Sequence, residues 1–236
     1  MKKIEPEDLL SAGVHFGHKS WRVHPKARPF IYKMERGSSI IDLFQTADQL
    51  QKAKDFVFNL GSENKSLLVV ASKKQIRSEI SKICTDNDIP YFTYKWVGGF
   101  MTNFDEVVKN IKKMTQLEED KQNGAWSALP KHETVQLEKK MNRIKKVYHG
   151  VRFLTKEPDS IFIIDIKKES NVVKESNMKK IPTIALVDTN CDPTLVNYPI
   201  VGNDDALTSV MLIVQEIILS FVEGRKTVKS ELKPKV

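Results

Sequence analysis

The chain has 236 residues, with 38 Lys and Arg against 30 Asp and Glu and a formal net charge of +8. That length buries a real core, as one large domain or one domain with an insertion, and the composition excludes a disordered chain. The cationic surplus favours a polyanionic partner, and two distant cysteines, Cys84 and Cys191, with no CxxC point to a reducing compartment and not to a metal site.

The N-terminus, MKKIEPEDLL, is acidic by its fifth residue. It carries neither a signal-type apolar core nor a transit-peptide pattern, which predicts a protein that works where it is made. The apolar runs IFII and TIALV are too short to span a bilayer, so no membrane association is expected. Glu7–Ala12 reads as a short helix with Pro6 near its first turn.

Gly13–Gly37 follows, GVHFGHKSWRVHPKARPFIYKMERG, with six Lys/Arg, three His and four aromatics against one acid, Glu35. It has no clean period of two or 3.6 over most of its length. It therefore reads as an extended arm or loop whose cations and rings face an anionic, stackable partner, and RNA fits best. The residues expected to touch RNA are His15, His18, Lys19, Trp21, Arg22, His24, Lys26, Arg28, Lys33 and Arg36. A zinc site on the three histidines is conceivable, but no cysteine is near and the spacing matches no finger.

Ser39–Leu43 reads as a short strand. Gln45–Leu60 is helical, with Leu50, Ala53, Val57 and Leu60 on one face and Gly61 past its end. Leu67–Ala71 is a fully apolar strand, Lys73–Thr85 an amphipathic helix, and Pro90–Tyr94 the next strand. Asn103–Lys121 and Lys131–Tyr148 are amphipathic helices separated by a break at Gln122–Pro130, which predicts an antiparallel helical hairpin or short coiled coil. Ser160–Asp165 is a strand, Glu169–Lys180 a helix and Pro182–Asp188 a strand. Asn197–Val201 reads as a short strand, and Asp204–Glu223 as a long helix ended by Gly224. The tail, Arg225–Val236, has five Lys/Arg and one Glu and reads as disordered unless bound. Apolar strands alternating with amphipathic helices predict an α/β fold, a mainly parallel sheet covered on both faces.

An α/β sheet directs attention to the carboxyl ends of its strands. No GxGxxG, P-loop or GxSxG occurs there, so a nucleotide- or phosphate-ligand-binding enzyme is the rival reading with poor motif support. Ser72-Lys73-Lys74 falls where a strand gives way to a helix; backbone N–H groups and two ammoniums would suit a phosphate, with a solvated first turn as the equal alternative. In the loop Tyr94–Asn103, Lys95, Trp96, Thr102 and Asn103 are candidates to pair with or stack on RNA. The competing reading has Trp96, Phe100 and Met101 plugging the sheet end, and it is preferred for Phe100 and Met101. His18, Asp188, Asp204 and Asp205 could share a divalent cation; capping and turn chemistry is preferred, because no metal-ligand spacing rule is met. The helical pair is mildly basic, and its lysine clusters suit phosphate contact or a solvated face equally.

Gly13-Val14-His15-Phe16-Gly17-His18, then Trp21 and His24-Pro25-Lys26, resembles the N-terminal signature of the small-subunit ribosomal protein two family. Ile40–Leu43, Trp96–Asn103, Asp188–Pro193 and Gly202–Ala206 resemble further blocks of that family in the same order, and Glu223-Gly224-Arg225 resembles its usual ending. The resemblance runs from about residue 4 to 225 and is to the bacterial or organellar type. Where the family more often has Trp-Asn-Pro-Lys, this chain has Val23-His24-Pro25-Lys26. The resemblance implies a flavodoxin-like domain with an inserted coiled-coil hairpin, and a structural, non-enzymatic role in the small ribosomal subunit, bound to rRNA between head and body. It implies neighbouring ribosomal proteins as partners, among them the large multi-domain protein one, with no membrane partner and no homo-oligomer. The place of work would be a bacterial cytoplasmic ribosome, or a plastid or mitochondrial one. No cofactor is expected beyond the divalent cation weighed above. The chain divides as residues 1–38, helix and basic aromatic arm; 39–101 and 151–224, the α/β domain; 102–150, the hairpin; and 225–236, a basic tail whose Arg225 and Lys226 join the RNA candidates.

Overall fold

The computed structural model describes residues 4–231. Strands β1 (Phe16–Lys19), β2 (Ile31–Glu35) and β3 (Ser38–Ile41) form a three-stranded antiparallel sheet in the order β1-β3-β2. Helix α1 (Pro6–Ser11) precedes it and α2 (Leu43–Ser62) follows it. The rest alternates: β4 (Leu67–Val70), α3 (Arg77–Asp86), β5 (Tyr91–Phe92), α4 (Phe104–Gln122), α5 (Lys131–Tyr148), β6 (Ser160–Ile164), α6 (Ser170–Lys179), β7 (Thr183–Val187), β8 (Tyr198–Val201) and α7 (Leu207–Glu231).

Strands β4 to β8 form a five-stranded sheet in the order β5-β4-β6-β7-β8, every pair parallel. Numbered within the sheet this is 2-1-3-4-5, the flavodoxin-like order. The continuous apolar strands read from the sequence are buried on both faces. Leu67, Val69 and Ala71 pack with α2, α3 and α7, whereas Leu68 and Val70 pack on the other face with α4, α6 and the end of α5. The alternating strand geometry sends successive residues to opposite cores. Between α4 and α5, Lys145 pairs with Glu118 at 2.7 Å and Lys121 with Glu138 at 2.6 Å, the descending order of two antiparallel helices.

Four expectations need correction. Gly13–Gly37 is not an extended arm: it supplies β1 and β2, with tight 3-10 turns at Ser20–Arg22 and Pro25–Phe30. Its sequence carries no strand signal because β2 is exposed on both faces except at Ile31, so no period of two marks a buried side. The glycines at 61 and 224 do not end helices. Both lie inside them where α2 crosses α7: a Cβ on Gly61 would strike the Phe221 carbonyl, and one on Gly224 the Phe58 carbonyl. Accordingly α7 runs on through Arg225 and Lys226 to Glu231, so the start of the tail is helical, and its residues from 232 lie outside the described region. Finally, α7 is long and apolar enough by composition to cross a bilayer, which the shorter runs did not suggest. Its Val210, Ile213, Val214, Ile217, Ile218 and Phe221 are buried against the sheet and α2, so it serves as the core helix.

Candidate nucleic-acid interface at the carboxyl edge of the sheet

Three segments far apart in sequence meet at the carboxyl ends of β7 and β8. The His18 N–H donates to Thr189 Oγ1 at 2.9 Å, and the His24 N–H to the Thr189 carbonyl at 2.8 Å. Ser39 Oγ donates to the His18 carbonyl and lies 3.2 Å from Thr189 Oγ1. Gly17 fits only because it has no Cβ, which would overlap Ser39 and Thr189. The Asn203 N–H and side-chain amide bind the Val14 and Gly13 carbonyls at 3.0 and 3.1 Å. Lys26 reaches Asp192 at 2.8 Å; burial opposes ionisation there, but the bonds from Lys26 and Thr194 hold Asp192 at about 2. Thus the blocks Gly13–His18, Asp188–Pro193 and Gly202–Ala206 form one seam that fastens the three-stranded sheet to the edge of the parallel one.

A cleft of about 420 Å³ opens on this seam, lined by Lys19, Trp21, Arg22, His18, Asp188 and Asp205 among others. Trp21 is 71% exposed with the Lys19 ammonium 5.0 Å over its ring. Arg28, Lys33 and Arg36 are exposed along the same module, Lys33 paired with Glu35. Arg36 and Gly37, both at positive φ, form the two-residue turn that projects the β2–β3 hairpin. Among the described residues no ion pair engages Lys19, Arg22, Arg28 or Arg36. His15 is half-buried against Phe16, and burial lowers its pKa; His24 is half-buried and accepts from the Lys26 N–H.

The cation candidates divide into two groups. His18 Nδ1 lies 2.9 Å from Asp188 Oδ2, and donor atoms of His18, Asp188 and Asp205 all fall within 4.8 Å of one another. Asp204 belongs elsewhere: its carboxylate and its carbonyl both take Lys73 Nζ, at 2.7 and 2.8 Å. The capping alternative also holds in part, since Asn203 Oδ1 accepts from the Asp205 and Ala206 N–H groups.

Lys73 is the main departure from the expected RNA set. The helix begins at Arg77, so Ser72-Lys73-Lys74 is not its first turn. Lys73 turns into the crevice where strand order reverses, between β4 and β6, and is only 9% exposed. There it meets Asp204 and Asp205 at 2.7 Å and Asp165 at 3.3 Å. Burial pulls its pKa down, but the bonds to Asp204 and Asp205 and the surrounding negative charge outweigh this and leave it above the ordinary lysine value. The acids exceed the one ammonium. Burial and the Asp165 charge, opposed by Lys73, lift the Asp204 carboxyl to about 7, while the Lys73 bond lowers Asp205. Beside them Ser72 donates to Glu169, whose pKa burial raises. Lys74 remains exposed.

Trp96 is likewise withdrawn from the surface, 5% exposed in an aromatic cluster with Phe92 and Phe100. Phe100 and Met101 are fully buried, as the plug reading expected. The loop is gathered around Glu175 of α6, which the sequence did not single out. Its Oε1 accepts from Trp96 Nε1 at 3.0 Å and the Gly99 N–H at 2.9 Å, and its Oε2 from the Met101 N–H at 3.0 Å. Lys95, Thr102 and Asn103 stay exposed on its rim. Arg225 is half-buried and donates to the Asn87 carbonyl at 3.1 Å, tying α7 to the end of α3; Lys226 is exposed.

In open α/β sheets ligands lie in the reversal crevice; here the chain's own ion cluster occupies it and the exposed cations stand around it. Fold and site thus define a flavodoxin-like α/β scaffold whose reversal crevice is filled by its own side chains. The sequence profile described as Ribosomal protein S2 matches residues 9–224. Small ribosomal subunit protein uS2 of Dictyoglomus thermophilum is 41% identical over 225 residues, covering 95% of this chain and 92% of that protein. Its namesakes in Helicobacter acinonychis and Helicobacter pylori (strain 26695) are each 38% identical over 229 residues, covering 97% of this chain and 93% and 87% of theirs. The chain belongs to the ribosomal protein S2 family, a structural, non-enzymatic family of the small ribosomal subunit.

Proposed function

We propose that this structural protein binds small-subunit rRNA between the head and body of the subunit, in bacterial cytoplasm, with its three-stranded module as the main contact. The observation that carries the reading is the exposed set Lys19, Trp21, Arg22, Arg28 and Arg36, whose cations have no ion-pair partner among the described residues. Lys26 and Lys33 extend that surface, and His15, His18 and His24 lie at its base; Lys74, Lys95, Thr102, Asn103 and Lys226 are exposed outside the module and add separate contacts. Phosphate contacts dominate such binding, so affinity falls steeply with salt, by a slope of roughly 0.7–0.9 per phosphate neutralised. A filter-binding salt titration with small-subunit rRNA tests this: a flat titration sinks it. Replacing Lys19, Arg22, Arg28 and Arg36 with Ala lowers incorporation into small subunits; unchanged co-sedimentation removes the module from the account. The paired helices α4 and α5 extend the protein toward neighbouring ribosomal proteins, including the large multi-domain protein one. Replacing residues 119–143, beyond the Glu118–Lys145 pair, with a short Gly-Ser loop then loses a protein partner while rRNA binding survives.

A divalent cation on His18, Asp188 and Asp205 is the second part of the proposal, supported by the convergence of their donor atoms. Mn²⁺ or Zn²⁺ then raises the Tm of the wild type and not of Asp188→Asn. Equal shifts in both remove the cation.

A further inference from the structure

We propose that Arg77, Tyr94 and Lys146, with Lys95, form a second RNA-phosphate patch beyond the carboxyl end of edge strand β5, separate from the three-stranded module. It deepens the rRNA-binding reading above and rests on it. The residues come from three elements: Arg77 opens α3, Tyr94 and Lys95 follow β5, and Lys146 lies in the last turn of α5. The Arg77 guanidinium lies 4.9 Å and the Lys146 ammonium 4.3 Å from the centre of the Tyr94 ring. Two cations thus share one half-exposed ring, with the exposed Lys95 next in sequence. Among the described residues none of the three cations has an ion-pair partner.

Their closeness is built by the fold. Arg77 Nε donates to the Thr93 carbonyl and its Nη2 to the Tyr94 carbonyl at 3.4 Å, which fixes the guanidinium beside the ring. Gly150 lets the end of α5 press onto β5, since a Cβ there would overlap Tyr91; that contact carries Lys146 to Tyr94. The local field is positive at this end of α5. Burial first, then the charges of Arg152 and Lys145 against that of Glu118, depress the pKa of His149, one turn beyond Lys146. Like charges gathered on one ring without a carboxylate repel each other and are relieved by an anion. A guanidinium fixed in plane and mobile ammoniums beside it suit a phosphodiester, which presents two free oxygens. Six residues past Lys146 in sequence, the Arg152–Phe153 stack, with Phe153 81% exposed, offers a flat face for a base.

The test is the salt dependence of rRNA binding by the full chain, using a small-subunit rRNA transcript over graded KCl. Lys146→Gln lowers the salt slope by about one and Lys95→Gln/Lys146→Gln by about two. Lys146→Arg keeps the wild-type slope, and the Tm of the variants stays at the wild-type value because both lysines are exposed. A wild-type slope in the double variant overturns this patch while leaving the module's role intact; a flat wild-type titration overturns both. Competition by polyglutamate as effective as that by RNA identifies a protein-docking surface and also refutes the proposal.

Discussion

Gly224→Ala separates two roles for that residue by the sign of its effect. In a helix with open space beside it, Ala is favoured over Gly by about 0.5–1 kcal/mol, through lower conformational entropy in the unfolded chain. At this position the new Cβ would overlap the Phe58 carbonyl oxygen and lie 3.0 Å from the Phe58 carbonyl carbon and 3.1 Å from the Ser62 nitrogen. All three are backbone atoms of α2, with no rotamer to yield, so the helices must part. Parting loosens Leu60, Val57 and Phe221, which belong to one core cluster. Overpacking of this kind costs about 1–3 kcal/mol, and rigid backbone neighbours place it at the upper end. After the propensity gain the net loss is about 1–2 kcal/mol, or roughly 2–8 °C in Tm for a chain this long. Urea denaturation followed by circular dichroism reads it directly. Gly61→Ala attacks the same crossing from the other side, with the Phe221 carbonyl and the Arg225 nitrogen in its way. Once one substitution has parted the helices the second costs less, so the pair is less than additive. A Gly224→Ala protein as stable as the wild type, or more so, would falsify the crossing as the reason for this glycine.

Glu175→Gln keeps an acceptor for the Trp96 and Gly99 donors but turns an amide NH₂ toward the Met101 N–H, a loss of about 1–3 kcal/mol. Glu175→Ala, orphaning all three donors, costs more. Hydrogen exchange at Gly99 and Met101 should accelerate in both, and unaltered exchange would show that the loop holds without the carboxylate. Lys73→Met leaves Asp165, Asp204 and Asp205 facing each other, at a cost of about 3–5 kcal/mol near pH 7.5. Part of that returns at pH 5.5, where protonation relieves the repulsion; a penalty independent of pH would exclude this cause. The Asp204 carboxyl is raised to about 7 in the folded state, so its contribution to stability is complete below the ordinary carboxylate range and is lost as pH rises through 7. The wild type therefore loses Tm relative to Asp204→Asn between pH 5 and pH 8, and a difference that is flat or grows in the wild type's favour contradicts the raised value.

The parallel sheet was legible because β4, β6 and β7 carry the unbroken apolar runs LLVV, IFII and IALV, which two-sided burial explains. The strand order was legible only through the family resemblance, since nothing local tells β4 to sit between β5 and β6. Gly61 and Gly224 misled because a glycine after an apolar face signals a helix end and a close helix crossing alike. The cations of the basic segment were legible as composition, whereas its strands, with a register shift in each pairing and little buried side, were not. Lys73 looked like a surface cation because its carboxylates lie 131 and 132 residues away in Asp204 and Asp205. Glu175 was invisible for a related reason: a buried carboxylate paired with backbone N–H groups 74 and 76 residues away leaves no pattern in side-chain types.

The seam between His18 and Thr189 joins residues 171 positions apart. At the usual pace of synthesis, about 5–20 residues per second, the first partner waits roughly ten to thirty seconds for the second to emerge. The basic module therefore leaves the ribosome well before the sheet edge that seats it. During that interval its unseated cations are in reach of any nucleic acid nearby. Docking onto the finished sheet edge is thus a late checkpoint in the birth of each molecule: a chain truncated before Asp188 carries the charges of the interface without the surface that orders them.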